Sequence, residues 1–211
     1  MKLDELWQKS NSVYQKVGNE RDVIHLVKDY PAFDEEYAEC LSRGGIHVFS
    51  EALRIFGLTN NNNTENILKW NNPDTWKASY KSFFADIWAF AEDVFGYQFL
   101  FNKDGVGRLD IETGEIRHLC NSFADWISLV LEDPDFYSGM SVAKEWEISR
   151  PDEPVTGKHH LCPVTLFVCG GKYQIDNLFR IESVSHLKVK AQIAEQIRDL
   201  PDGTPIEFTF E

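Results

Sequence analysis

Apolar positions along the chain change their spacing repeatedly, and each change predicts a structural transition. Leu3, Leu6, Trp7, Val13, Tyr14 and Val17 stand three, four or seven apart once the polar middle is allowed, which predicts an amphipathic helix over 2–17 ended by Gly18. Phe33, Tyr37 and Leu41 predict a second helix after Tyr30-Pro31, stopped by Gly44 and Gly45. "IHVFS" then reads as a short strand, whereas "EALRIFGL" fits a strand and a helix equally. The Asn-rich tract 59–76, "TNNNNTENILKWNNPDTW", predicts a mobile insertion with one helical turn at Ile67–Trp70.

From Phe83 the period becomes two. "FFADIWAFAEDVFGYQFLFNKDGVGRLDIETGEIRHL" predicts an antiparallel meander, with "KDG" and "ETG" as turns. Tyr97, Phe99 and Phe101 fall on one face and Gln98, Leu100 and Asn102 on the other; Leu109 and Ile111 likewise oppose Asp110 and Glu112. Asn121 or Ser122 then offers an N-cap, and Phe123, Trp126, Ile127, Val130 and Leu131 form the stripe of a helix packed on the sheet.

After "DPDFYSG" a second block begins. "EWEISRPDEPVTGKHH" has linker composition, "PVTLFVC" (163–169) predicts a strand, "GGK" a turn, and "YQIDNLFRI" a partner strand. Leu187, Ile193, Ile197 and Leu200 mark a helix before Pro201, and "PIEFTFE" alternates as a final edge strand. The expected class is therefore α+β: a twisted, mostly antiparallel (mixed) sheet flanked by helices over residues 1–140, with a β-α-β extension over 141–211 packed on it.

Composition adds a sign to this picture. The 211 residues carry a formal charge of −13, and residues 1–140 hold 13 basic and 23 acidic groups, a net of −10. Such a surface repels nucleic acid and anionic membranes and attracts basic partners. No 18-residue apolar run occurs and the N-terminus is polar and amphipathic, so a cytoplasmic protein is expected. Cys40, Cys120, Cys162 and Cys169 show no CxxC pair and read as buried free thiols.

Catalytic patterns are missing. There is no GxSxG, phosphate loop, Rossmann glycine pattern, HExxH, or HxE with a later PCxxC, and "CGGK" lacks the spacer and hydroxyl of a phosphate loop. His159, His160, Cys162 and Cys169 carry zinc-ligating chemistry, but adjacent residues on an extended chain point opposite ways, so no metal or other cofactor is expected. Asp110, Glu112 and Glu115 could supply an acid and a base, yet alternation puts Asp110 and Glu112 on the solvent face of a hairpin, where carboxylates need no reaction to explain them.

"FFADIWAFAEDVFGYQFLFN", then "GVGRLDIETGEI", then "NSFADWISLVLED" resemble the core signature of the SUKH superfamily, the Knr-like domains, over roughly residues 30–132. The most specific parts are Ala89–Gly96, Tyr97–Phe101 and Ser122–Leu131. The family's opening, Leu-Pro before a helix and then Asn-Gly, is only approximated here by Tyr30-Pro31 and "SRGGIHVF". The resemblance implies a non-enzymatic binding domain, in many bacterial members an immunity protein that occludes a toxin such as a nuclease or nucleic-acid deaminase. A regulatory or scaffold module binding an endogenous protein is the alternative it implies. Within the immunity reading, the expected contacts to a basic partner are Glu92, Asp93, Asp104, Asp110, Glu112 and Glu115, with Tyr97 as aromatic anchor.

Overall fold

The computed structural model describes residues 2–59, 66–80, 86–201 and 203–209. Seven strands form one antiparallel sheet in sequence order: β1 (Ser10–Val13), β2 (Ile46–Val48), β3 (Leu53–Ile55), β4 (Trp88–Asp93), β5 (Gln98–Asn102), β6 (Gly105–Leu109) and β7 (Ile116–Cys120). A second sheet pairs β8 (His159–Pro163) with β9 (Leu178–Glu182). The helices among these residues are α1 (Lys2–Gln8), α2 (Arg21–Val27), α3 (Glu35–Arg43), α4 (Ile67–Trp70), α5 (Phe123–Glu132), α6 (Pro134–Ser138), α7 (Met140–Ser149) and α8 (Ser183–Ile197). The α+β expectation holds, and every pair of named strands is antiparallel.

The two faces of the large sheet differ in chemistry. Phe90, Phe99 and Phe101 pack edge-on and tilted against Tyr37 of α3 and Phe123 and Trp126 of α5, with ring centroids 4.9–6.4 Å apart. Such aromatic pairs add to the area they bury. Ser122 caps α5 through the Asp125 N–H, and Asp34 caps α3 through Tyr37 N while also accepting from Ala124 N. The two helices are thus pinned to each other. The opposite face carries a polar row, in which His47, Arg54, Glu92 and Gln98 stand directly opposite one another across β2 to β5. Trp70 of α4 covers this row, donating Nε1–H to Gln98 Oε1 at 2.8 Å, and β8 and α8 cover the remainder.

Several expected elements form differently. The first helix stops at Gln8, and Ser10–Val13 pairs with β2 instead; serine and asparagine side chains compete for backbone hydrogen bonds and weaken a helix there. "EALRIFGL" resolves as strand β3. Helix α2 buries only Val23 and Val27, too few positions for hydrophobic spacing to mark. The expected helical turn at Ile67–Trp70 is present, capped by Asn66; residues 60–65 of the predicted insertion, and the predicted strand start at 83–85, lie outside the described residues.

The C-terminal unit is strand-strand-helix, not β-α-β. α7 runs through "EWEIS", anchored by buried Trp146, so the linker shrinks to the stretch from Arg150 to β8. "PVTLFVC" is no strand. Beyond Pro163 the Asn177 side chain takes the Thr165 N–H at 2.8 Å and its C=O at 3.0 Å, and Phe167–Cys169 is a 3-10 turn. Similarly, the backbone of Thr209 in the expected edge strand bonds the Gln196 side chain through both N–H and C=O, which replaces a ladder. The buried residues of α8 are Ser183, His186, Leu187, Lys190, Ala191, Ile193 and Ala194, so Leu187 and Ile193 are buried as expected, whereas Leu200 is exposed. Cys40 and Cys162 are buried as expected, but Cys120 is half-buried and Cys169 exposed.

Candidate binding surface

Four of the seven side chains expected at a partner contact are buried inside the protein. Glu92 ion-pairs with Arg54, accepts from Gln98 Nε2 at 2.8 Å and meets His160 Nε2 at 2.8 Å. Burial, then the Arg54 charge, hold His160 well below the usual imidazole range, so it is a neutral donor to Glu92. Its Nδ1 meets His186 Nδ1 at 3.2 Å, and burial likewise keeps His186 neutral. Gly96 makes room for this seat, since a Cβ there would lie 2.7 Å from the His160 ring and the residue has φ +91°. Glu112 is the second internal socket: Lys190 Nζ reaches Oε1 at 2.6 Å and Val168 N–H reaches Oε2 at 2.9 Å. The carboxylates of the meander thus dock the C-terminal unit onto the sheet.

Asp93 and Tyr97 lie on the aromatic face, at its rim. Asp93 Oδ1 accepts from Phe95 N and Tyr97 N at 2.9 and 3.0 Å, and Arg108 Nη2 reaches Oδ2 at 2.8 Å. Burial outweighs the Arg108 charge and raises the Asp93 pKa to about 6. The Arg108 guanidinium lies 4.2 Å from the Tyr97 ring centroid and 5.6 Å from that of Phe136. Tyr97 hydroxyl meets Tyr173 hydroxyl at 3.2 Å, and burial pushes the phenol up. The remaining three positions are separate. Half-buried Asp110 holds the β6–β7 turn by accepting from Glu112 N and Thr113 N, and burial raises its carboxyl. Asp104 and Glu115 are exposed at opposite ends of β6, Glu115 pairing with Arg117 at 3.0 Å. Glu92, Asp93 and Glu112 at 2% exposure, and Tyr97 at 9%, therefore do not form an acidic patch on the sheet.

The exposed chemistry lies next door, on α6 and α7. Between Glu132 and Glu153 the chain carries seven acidic and two basic residues, and all seven carboxylates are exposed. Phe136 and Ile148 project from the same ridge with 61% and 82% of their surface free. Asp133 caps α6 through Phe136 N at 3.0 Å, and Asp135 holds Ser141 N of α7 at 2.7 Å. Gly139 joins the helices at φ +72°, where a Cβ would press within 2.5 Å of the Phe95 ring. A cleft of about 280 Å³ opens beside it, walled by Phe95, Phe136 and Tyr173 with Arg108 and Asp135 at its edge.

Sequence reasoning missed this ridge because it weighed charge against the predicted sheet. "DPDFYSG" held the signal, an aromatic pair that follows two acids and stands one residue short of a glycine, where nothing in the pattern places Phe136 on a core stripe.

No group of three or more His, Cys, Asp or Glu among the described residues could hold a metal ion, and no helix among them is long and apolar enough to cross a membrane. The chain matches no protein-family model and no curated protein. It is similar to the crystal structure of Atu4351 from Agrobacterium tumefaciens with a TM-score of 0.52 over 91% of this chain and 89% of that one, at 12% identity. That likeness concerns the fold alone.

Proposed function

We propose that the protein is a non-enzymatic, acidic binding protein that neutralises a cognate bacterial toxin, a nuclease or nucleic-acid deaminase, by occluding its basic groove. The observation that carries this reading is the stretch from the end of α5 to just past α7, residues 132–153, where seven exposed carboxylates accompany two exposed apolar side chains, Phe136 and Ile148. Carboxylates steer association with a basic partner, and apolar anchors set its lifetime. The SUKH-like signature supports the same reading and, through its eukaryotic relatives, also supports a regulatory module binding an endogenous protein.

A panel of basic toxin domains encoded beside this gene tests the proposal by pull-down and calorimetry at low and physiological salt. One domain is expected to bind, faster at low salt, and to lose its toxicity. If every domain fails to bind at both salt levels, the toxin reading is wrong; capture of a non-toxin encoded elsewhere would favour the regulatory alternative.

A further inference from the structure

The β2–β3 turn holds three consecutive non-glycine residues in the left-handed region, Phe49, Ser50 and Glu51, at φ 59°, 58° and 64°. L-residues meet a steric cost there and rarely occur in succession, so the surroundings must hold the turn in place. Asn11 Oδ1 accepts from Ser50 N at 2.7 Å, Ser12 Oγ donates to Glu51 Oε1 at 3.2 Å, and buried His47 bonds the other carboxylate oxygen through Nδ1. The turn therefore fixes one acidic side chain in place. Burial pushes that carboxyl up, but the His47 hydrogen bond and charge and the Ser12 hydroxyl outweigh it and leave Glu51 below its ordinary range, ionised at neutral pH.

Glu51 lines a cavity of about 420 Å³ against α7. Ala143 and buried Trp146 give the cavity an apolar wall, Val155 closes it, and Glu147 is its second charged residue; among the described residues no lysine or arginine lines it. Glu147 is exposed and makes no ion pair among the described residues. Arg150, outside the cavity lining, stands 5.3 Å from the Trp146 ring centroid. An apolar wall with two carboxylates matches a long side chain that has a methylene stem and a planar cationic head.

We infer that this cavity is a socket for one arginine side chain of a basic protein partner, its stem against Ala143 and Val155 and its guanidinium between Glu51 and Glu147. The socket lies on α7, the helix that also carries Ile148, so an arginine seated there belongs to the same docked surface as the ridge. The inference rests on the partner-binding reading for what delivers the arginine, and its test needs no partner.

The probe is the peptide acetyl-Gly-Arg-Gly-amide, titrated into the full ¹⁵N-labelled chain, with its citrulline and lysine counterparts in parallel. Saturable shifts are expected at the Trp146 indole N–H and at the Glu51 and Val155 amides, with citrulline binding at least ten-fold more weakly. E147Q, an exposed helical change that leaves the turn intact, should weaken the arginine peptide at least three-fold; E51Q should do the same if its amide spectrum otherwise matches the parent. Equal binding of citrulline, no effect of E147Q, or unsaturable shifts spread over Glu132–Asp135 would overturn the socket. A lysine peptide as tight as arginine would overturn the choice of arginine. Each of these leaves the toxin reading standing, whereas failure of the toxin panel leaves the peptide result untouched.

Discussion

Removing one partner of the Lys190–Glu112 pair tests whether carboxylates of the meander seat the C-terminal unit. Both side chains are almost fully buried, at 1% and 2% exposure, and their atoms meet at 2.6 Å. Replacing Lys190 with Met leaves a carboxylate with the Val168 N–H as its remaining donor. A buried charge stripped of its partner costs about 3–5 kcal/mol, unless it neutralises first. For a glutamate, which in water takes up its proton near pH 4.3, forced neutralisation at pH 7 costs about 3.7 kcal/mol, and at pH 5 only about 1 kcal/mol. Glu112→Gln leaves the ammonium instead. For a lysine, with an ordinary pKa of about 10.4, shedding the proton costs about 4.6 kcal/mol at pH 7 and about 1.9 kcal/mol at pH 9.

The two single variants should therefore show opposite pH dependence relative to the parent: K190M recovers as pH falls, E112Q as pH rises. Urea denaturation followed by circular dichroism at pH 5, 7 and 9 measures both slopes. Replacing the pair together, Glu112→Leu with Lys190→Met, should return stability to within about 1 kcal/mol of the parent, because a buried ion pair exchanged for apolar side chains is often neutral. Costs below 1 kcal/mol for both single variants at pH 7, or slopes of the same sign, would refute the claim that this pair is desolvated at the junction.

Three further outcomes follow from the same geometry. Gly96→Ala meets the His160 ring at 2.7 Å and sits at φ +91°, so it should destabilise by about 2–4 kcal/mol; a urea midpoint unchanged from the parent would show that the ring is not seated there. Asp93, with its folded pKa raised to about 6 from an ordinary 3.9 or so, favours folding while protonated: its contribution is complete below pH 3.9 and is lost as pH rises through 6, in all about 3 kcal/mol. Carboxyl ¹³C NMR reads this directly, and a midpoint at or below pH 4 contradicts it. Phe136→Ala and Ile148→Ala should each leave the stability nearly unchanged, within about 0.5 kcal/mol, while lowering affinity ten-fold or more for any basic domain that the proposed panel identifies; calorimetry with that domain decides.

The meander and its closing helix were legible because their signals are local. Period two, "KDG", "ETG", and the Ser122 cap all act within a few residues, and tertiary packing reinforced what they specified. The C-terminal unit was not legible in the same way. In β8 two histidines occupy positions where a strand pattern expects apolar residues, and the reason is remote: His160 is held by Glu92, 68 positions earlier. In "PVTLFVC" and "PIEFTFE" the alternation is real, yet Asn177 and Gln196 take the backbone groups that a neighbouring strand would need.

The same remoteness explains why four of the expected contact residues are buried. Glu92, Asp93 and Glu112 read as partner-facing because carboxylates usually face solvent, but Glu92 and Asp93 interrupt an otherwise apolar run, and that context argues for burial with a partner, whereas Glu112 lies in a polar alternation that gives no such signal. The partners were visible too, as Arg54 among β3 apolar residues and as Lys190 on the α8 stripe seven positions after Ser183 and three after Leu187. A cation and a carboxylate that both break hydrophobic patterns are candidates for each other before they are candidates for a ligand. Setting such residues aside leaves the acids that break no pattern, and the seven between Glu132 and Glu153 are among those, all of them exposed.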